Sequence, residues 1–168
     1  MSLRKRGDFM NIDIVIGLFA LLISCLSLFI SLYYNKKDHE RRRKQATIEY
    51  FEEMTSKLYD SQAKFNNKFN QLDVDISELD TNIELLKNAT EILAAFERLS
   101  VGVNTKIFDL DILDRMAGSY LMVMYTRFAP YIAKVRTDAS RVNSYQEFEN
   151  VVDCIKKKRR ILNERGNI

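Results

Sequence analysis

Ile14-Val-Ile-Gly-Leu-Phe-Ala-Leu-Leu-Ile-Ser-Cys-Leu-Ser-Leu-Phe-Ile-Ser-Leu-Tyr-Tyr34 is a run of 21 residues without a charge. A helix over it, rising about 1.5 Å per residue, spans roughly 31 Å, close to the ~30 Å hydrocarbon core of a bilayer. No water reaches the backbone there, and a helix pairs its N–H and C=O groups within one segment. Tyr33 and Tyr34 close the run, where amphipathic rings favour the interface. The stretch predicts a transmembrane helix over 14–34. A cleaved signal peptide has a shorter apolar region and a small-residue cleavage site followed by polar chain. Leu22-Ile23-Ser24-Cys25 has the form of a bacterial lipoprotein cleavage box, yet nine apolar or small residues follow Cys25 before any charge. The expectation is an uncleaved span.

The flanks orient it. Lys36, Lys37, Arg41, Arg42, Arg43 and Lys44 follow the span, against Arg4, Lys5 and Arg6 before it. Six cations against three favour a cytoplasmic C-terminal side. The six also form a membrane-surface basic segment, where each cation near anionic lipid contributes about 1 kcal/mol. Within the span, Gly17, Ala20, Ser24, Ser27 and Ser31 recur at steps of three and four and so share one stripe. Helices in lipid associate by close approach at small residues, with serine hydroxyls adding weak bonds. The stripe predicts a self-association face, although small residues are common enough in spans to align by chance.

The rest of the 168-residue chain differs in kind. Five Gly, one Pro and abundant Leu, Ile, Lys and Glu favour helices. Net charge is +3, but it is made of unlike parts. Residues 36–44 carry six Lys/Arg against two acids, residues 45–155 carry 11 against 18, and residues 156–168 carry six against one. The body is acidic with basic ends. Cys25 and Cys154 lie in different parts of the chain and form no disulfide framework, as expected in a reducing compartment.

Periodicity divides the body into helices. Ile48, Phe51, Thr55, Leu58, Gln62, Phe65, Phe69 and Leu72 make an amphipathic stripe that continues the anchor helix, with Asn66-Asn67 a place for a bend. Asp73 to Asp80 reads as a connection. Thr81-Asn82-Ile83-Glu84 has the form of a capping box, opening a helix that buries Ile83, Leu86, Leu93, Phe96 and Leu99 and ends near Gly102 and Asn104. A third helix starts near Asp109 and buries Leu110, Leu113, Met116, Ala117, Tyr120, Leu121, Met124 and Phe128, until Pro130 kinks or interrupts it before Tyr131, Ile132 and Val135. Ser144-Tyr145-Gln146-Glu147 is a second capping box, opening a helix with Tyr145, Phe148, Val151, Val152 and Ile155 inward and a frayed end. The fold class is therefore all-α: one N-terminal span continuing into a long amphipathic helix, then a bundle of about four helices in up-down-up-down order. The predicted divisions are a tail (1–13), the span (14–34), the basic juxtamembrane segment (35–44) and a helical cytosolic domain (45–168). Parity aims Lys156–Arg160 back toward the membrane, although helix lengths leave that run short of the bilayer unless the first helix bends.

No catalytic constellation appears. The five glycines are too dispersed for a phosphate loop, and His39, the one histidine, sits in the basic run without a neighbouring ligand. Cys154 has no histidine base beside it. Asp109, Asp111 and Asp114 could hold a divalent ion, but acids crowd helix starts because they cap free N–H groups and suit the positive dipole end. Arg98, Arg115 and Arg127 lie beside bulky apolar positions and are candidate contacts for a small anion; snorkelling or surface pairing is the plainer reading. No aromatics interleave with Lys156–Arg160 and no groove-binding motif accompanies it, so nucleic acid is not an expected partner. No metal, cofactor or catalytic residue is predicted.

Three stretches carry a resemblance: Phe96-Glu-Arg-Leu-Ser-Val-Gly-Val-Asn104, Asp109-Leu-Asp-Ile-Leu-Asp-Arg-Met-Ala-Gly118 and Tyr125-Thr-Arg-Phe-Ala-Pro-Tyr-Ile132. The chain resembles an uncharacterised family, a domain of unknown function, of small bacterial membrane proteins with one N-terminal span and a helical cytosolic domain. The resemblance implies that layout and a bacterial inner-membrane location, and it brings no activity and no functional residues. Two functions are expected. One is a non-enzymatic, membrane-anchored interaction protein that forms a homo-oligomer in the lipid bilayer. The alternative is a ligand-gated membrane effector of stress or phage-defence type, whose helical domain senses a small anionic signal.

Overall fold

The structure, a computed structural model, describes residues 5–68, 79 and 81–166, with side chains over 14–66, 79 and 81–165. Among these residues the chain is all-helical: α1 (Lys5–Lys68), α2 (Ile83–Asn104), α3 (Leu110–Val135) and α4 (Gln146–Gly166), with a 3-10 turn at Ala139–Arg141 between the last two. The predicted Phe69 and Leu72 and the connection Asp73–Asp80 lie outside the described residues, save Leu79, which is buried. So do Arg4 and the last two residues of the chain.

The chain divides into two compact units, Met1–Arg42 and Arg43–Ile168. In the first, every side chain from Ile14 to Arg42 is exposed, and this part of α1 is long and apolar enough to cross a membrane. The second is the bundle. It begins at Arg43, two residues earlier than the expected boundary at 45, because Arg43 pairs with Asp109 of the bundle.

The bundle core takes one face from each helix. Met54, Leu58 and Phe65 of α1 meet Ala89, Ile92, Leu93, Phe96 and Leu99 of α2, Leu113, Leu121, Met124 and Phe128 of α3, and Phe148, Val151, Val152 and Ile155 of α4. Aromatic pairs knit the faces together: Phe65 with Phe128 at 5.0 Å between centroids, Phe96 with Phe148 at 5.1 Å, and Tyr125 edge-on to Phe148 at 5.6 Å. Hydrogen-bond and ion-pair partners give the directions. Arg43 and Thr47 meet Asp109 while Asn66 meets Arg127, so α3 runs parallel to α1. Lys158 and Arg159 reach the first turns of α3, so α4 returns antiparallel to it.

The structure corrects several sequence expectations. Ile83, the first residue of α2, is 83% exposed, and the buried face there runs through Leu85 instead. Met116 is exposed, and Ile48 lies at the exposed edge of the α1 stripe, whereas Thr47 and Met54 are buried. Pro130 sits inside α3, which continues to Val135. Proline removes only its own N–H, and the following Tyr131 and Ile132 are buried in the core, which holds the helix on course. Neither expected capping box forms as read. Asn82, not Thr81, caps α2 by accepting from Leu85 N at 3.1 Å. At α4, Tyr145 takes a left-handed φ of 61°, and the amides of Glu147 and Phe148 donate to the Glu97 carboxylate of α2 at 3.2 and 2.8 Å. Only Asp109 caps where expected, accepting from Asp111 N and Ile112 N.

Candidate functional site

On the span, Gly17 has nothing within 4 Å of where a Cβ would stand, and Ala20, Ser24, Ser27 and Ser31 are all exposed. Ser24 Oγ donates to Ala20 O and Ser27 Oγ to Ser24 O, both at 2.9 Å. These two hydroxyls are therefore satisfied within their own helix, and what the stripe offers a neighbour is close backbone approach.

Of the juxtamembrane cations, Lys36, Lys37, Arg41, Arg42 and Lys44 are exposed, as is His39. Arg42 makes only an exposed i,i+4 pair with Asp38 at 2.8 Å. Arg43 behaves differently. Its Nη2 donates to Asp109 Oδ2 at 2.7 Å, and Asp109 is buried. Thr47, fully buried on the next turn, donates to Arg43 O at 2.8 Å and accepts from Asp109 N at 2.7 Å. One short stretch of α1 thus bolts the start of α3. Burial pushes the Asp109 pKa up, but hydrogen bonds from Ile112 N and Arg43, with the Arg43 charge, outweigh it and hold the carboxyl below its usual range.

A second polar junction lies within the first two turns of α3. Lys158 Nζ stands 2.7 Å from Asp111 and 3.2 Å from Asp114, and Arg159 Nη2 is 2.8 Å from Asp114 Oδ1. Arg159 Nη1 donates to Ser119 Oγ at 2.8 Å. Gly118 makes the approach possible, because a Cβ there would lie 2.3 Å from Asp114 Oδ1 and 2.6 Å from Arg159 Nη2. Burial lowers the Lys158 pKa, but hydrogen bonds to Asp111 and Asp114 win and raise it. The three acids considered for a cation thus each face a Lys or Arg. Among the described residues no group of three or more His, Cys, Asp or Glu gathers around a metal-sized space.

The three arginines considered as anion contacts stand in different described settings. Arg127 Nη1 donates to Asn66 Oδ1 at 2.7 Å and its guanidinium lies 5.6 Å from the Phe65 ring centroid. Arg115 is exposed on α3. Arg98, also exposed, lines a groove of about 250 Å³ with Tyr50, Met54, Lys57, Glu53 and Glu91. Sequence reading missed Thr47 and Glu97 as structural polar centres. Neither had a local signal: Thr47 bonds Asp109, 62 residues away, and the partners of Glu97 lie 50 and 51 residues away.

A family described as a domain of unknown function (DUF4760) matches residues 21–155, and the chain belongs to it. The match begins inside the apolar run and stops before the basic end of α4. No curated protein and no solved structure matches the chain.

Proposed function

We propose that this DUF4760 protein is a non-enzymatic interaction protein, held in a bacterial inner membrane by Ile14–Tyr34, with its bundle in the cytoplasm and its spans self-associated. One observation carries the reading. From Ile14 to Tyr34 the large apolar side chains stand 48–70% exposed all round the helix. Removing one such side chain from water contributes roughly 1.5–3 kcal/mol. Summed over the segment, that exceeds the stability of an ordinary domain, about 5–15 kcal/mol. Lipid is the solvent that satisfies it. The family match, which takes in residues 21–34, further supports a segment that stays with the protein. Self-association rests on the stripe Gly17, Ala20, Ser24, Ser27 and Ser31.

The test has two parts. The full chain should sediment with membranes and need detergent for release, and a C-terminal reporter should act in the cytoplasm; recovery in the soluble fraction would sink the anchor. In detergent, the particle mass should exceed one chain and fall to a monomer when Gly17, Ser24 and Ser31 are replaced together by Leu. A wild-type monomer would remove the oligomer from the proposal while leaving the anchor.

The effector reading has narrower support. Arg98 in its groove could meet an anion, but Glu53 and Glu91 line the same walls and repel one. A thermal shift with a nucleotide second messenger, lost in Arg98→Ala, would restore it.

A further inference from the structure

The seam between α1 and α2 holds charges that the fold leaves unused. Ser61 Oγ donates to Glu91 at 2.8 Å and Lys64 pairs with Glu84 at 3.1 Å, so the two helices run antiparallel. Beside the Ser61 contact the seam opens into the groove of about 250 Å³. Glu53 and Lys57 line it from α1, Glu91 and Arg98 from α2, and the buried Met54 and Ala95 lie between them.

The α1 wall is satisfied within itself. Lys57 Nζ donates to the Glu53 carboxylate one turn away, and that hydrogen bond and charge hold the Glu53 carboxyl below its usual range. The α2 wall is not. Among the described residues Arg98 has no hydrogen-bond or ion-pair partner, and Glu91 is met by the neutral Ser61 hydroxyl and by no cation. Glu91, Ala95 and Arg98 follow one another at steps of four and three, so they share one face of α2, and all three line the same opening. Seven residues of helix set the acid and the base roughly 10 Å apart along the axis. Between them Ala95 offers no side chain that could bridge the gap.

Exposed charges on a helix are ordinarily satisfied by water. Here the acid and the base border one concave opening. The groove carries two acids and two bases, so a bare anion and a bare cation are each met by a like charge as well as an opposite one. A molecule with an ammonium at one end and a carboxylate at the other matches both unpaired groups at once. The volume lies under the ~300 Å³ at which sites for drug-sized molecules begin, so the occupant is small. Three residues of extended chain span about 10 Å, the spacing of the two charges. We propose that this groove binds a short linear zwitterion of tripeptide length, its ammonium at Glu91 and its carboxylate at Arg98. The site lies wholly within the bundle and is independent of the anchor. It replaces the simple anion considered for Arg98 with a molecule that carries both charges.

Calorimetric titration of the full chain in detergent tests it, with glycine peptides as probes because they differ only in their end groups. Triglycine should bind saturably. N-acetyl-triglycine and triglycinamide, each lacking one end charge, should bind about tenfold more weakly, the effect of losing one charge-assisted hydrogen bond. Arg98→Gln should erase the preference for triglycine over triglycinamide and keep the preference over N-acetyl-triglycine. Glu91→Gln should do the reverse. Both side chains are exposed, so neither change disturbs the core. Equal binding of triglycine and N-acetyl-triglycine would make the groove a plain anion site and overturn the proposal. The absence of saturable heat with triglycine would overturn it as well, and so would binding that neither substitution alters. Each of these outcomes leaves the anchor standing, since attachment is read from sedimentation.

Discussion

Ile14–Tyr34 and α2 are both helical stretches of about twenty residues rich in Leu and Ile, and they end in opposite environments. In Ile14–Tyr34 the apolar residues occupy every side, and every side is exposed. In α2 they fall on a stripe through Leu85, Ala89, Ile92, Phe96, Leu99 and Val103, all buried, while Lys87 and Arg98 lie off that stripe. The angular distribution, more than the apolar content, decides whether a helix calls for lipid or for neighbouring helices. A uniform helix can be wetted on all sides by hydrocarbon, whereas a striped one must find a matching face.

That contrast breaks most sharply at phenylalanine. Phe148 is fully buried against Phe96, so Phe148→Ala should cost the bundle about 3–5 kcal/mol. Phe29→Ala, in the span and 70% exposed, should leave bundle unfolding unchanged within about 0.5 kcal/mol. Denaturant unfolding of the detergent-solubilised protein, followed by the near-UV tyrosine signal, measures both. Equal losses would mean that the span is part of the folded core.

A smaller effect separates apolar from polar attachment of α4. Asp114 is nearly buried, but Lys158 and Arg159 keep 31% and 34% of their side chains exposed. Asp114→Ala should therefore cost about 1–3 kcal/mol, less than a fully buried pair. The loss should shrink at 0.5 M salt, with a Debye length of roughly 4 Å, while the Phe148→Ala loss persists.

The smallest effect is one of slope. Asp109 has its folded pKa below the ordinary 3.8, so its contribution is present above that value and is lost as pH falls toward the folded pKa. Asp109→Asn keeps a capping oxygen but not the charge, and should flatten the loss of bundle stability below about pH 4. Part of the acid limb should remain, because hydrogen bonds from Tyr125 and Arg136 also hold Glu149 low. An unchanged slope would show that the Asp109 carboxylate makes no pH-dependent contribution to the junction.

The sequence made the long apolar first helix, the all-helical class and the start of α3 legible because each depends on residues close together in the chain. Phe96, Leu99, Phe128, Phe148 and Ile155 were legible for the same reason: their spacing alone places them inward. Ile83 was misread because its three-residue step to the half-buried Leu86 hides that it lies on the face opposite the stripe through Leu85, Ile92 and Phe96. The capping boxes were misread because a local pattern does not reveal a better acceptor elsewhere. Asn82 won at α2 by one position, and a carboxylate from another helix won at α4. The junctions Arg43–Asp109 and Arg159–Asp114 join residues 66 and 45 positions apart, and no periodicity selects one acid among 23 as the partner.

Glu97 has a bearing on how the protein is made. Most helices carry their starting signal just upstream of themselves, so they can begin as soon as they leave the ribosome. For α4 the acceptor for its first amides was synthesised about fifty residues earlier and sits on a finished helix. The start of α4 is therefore set by docking on α2, and a chain halted before Gln146 would leave Phe96 without Phe148 and the Glu97 carboxylate without its two amides.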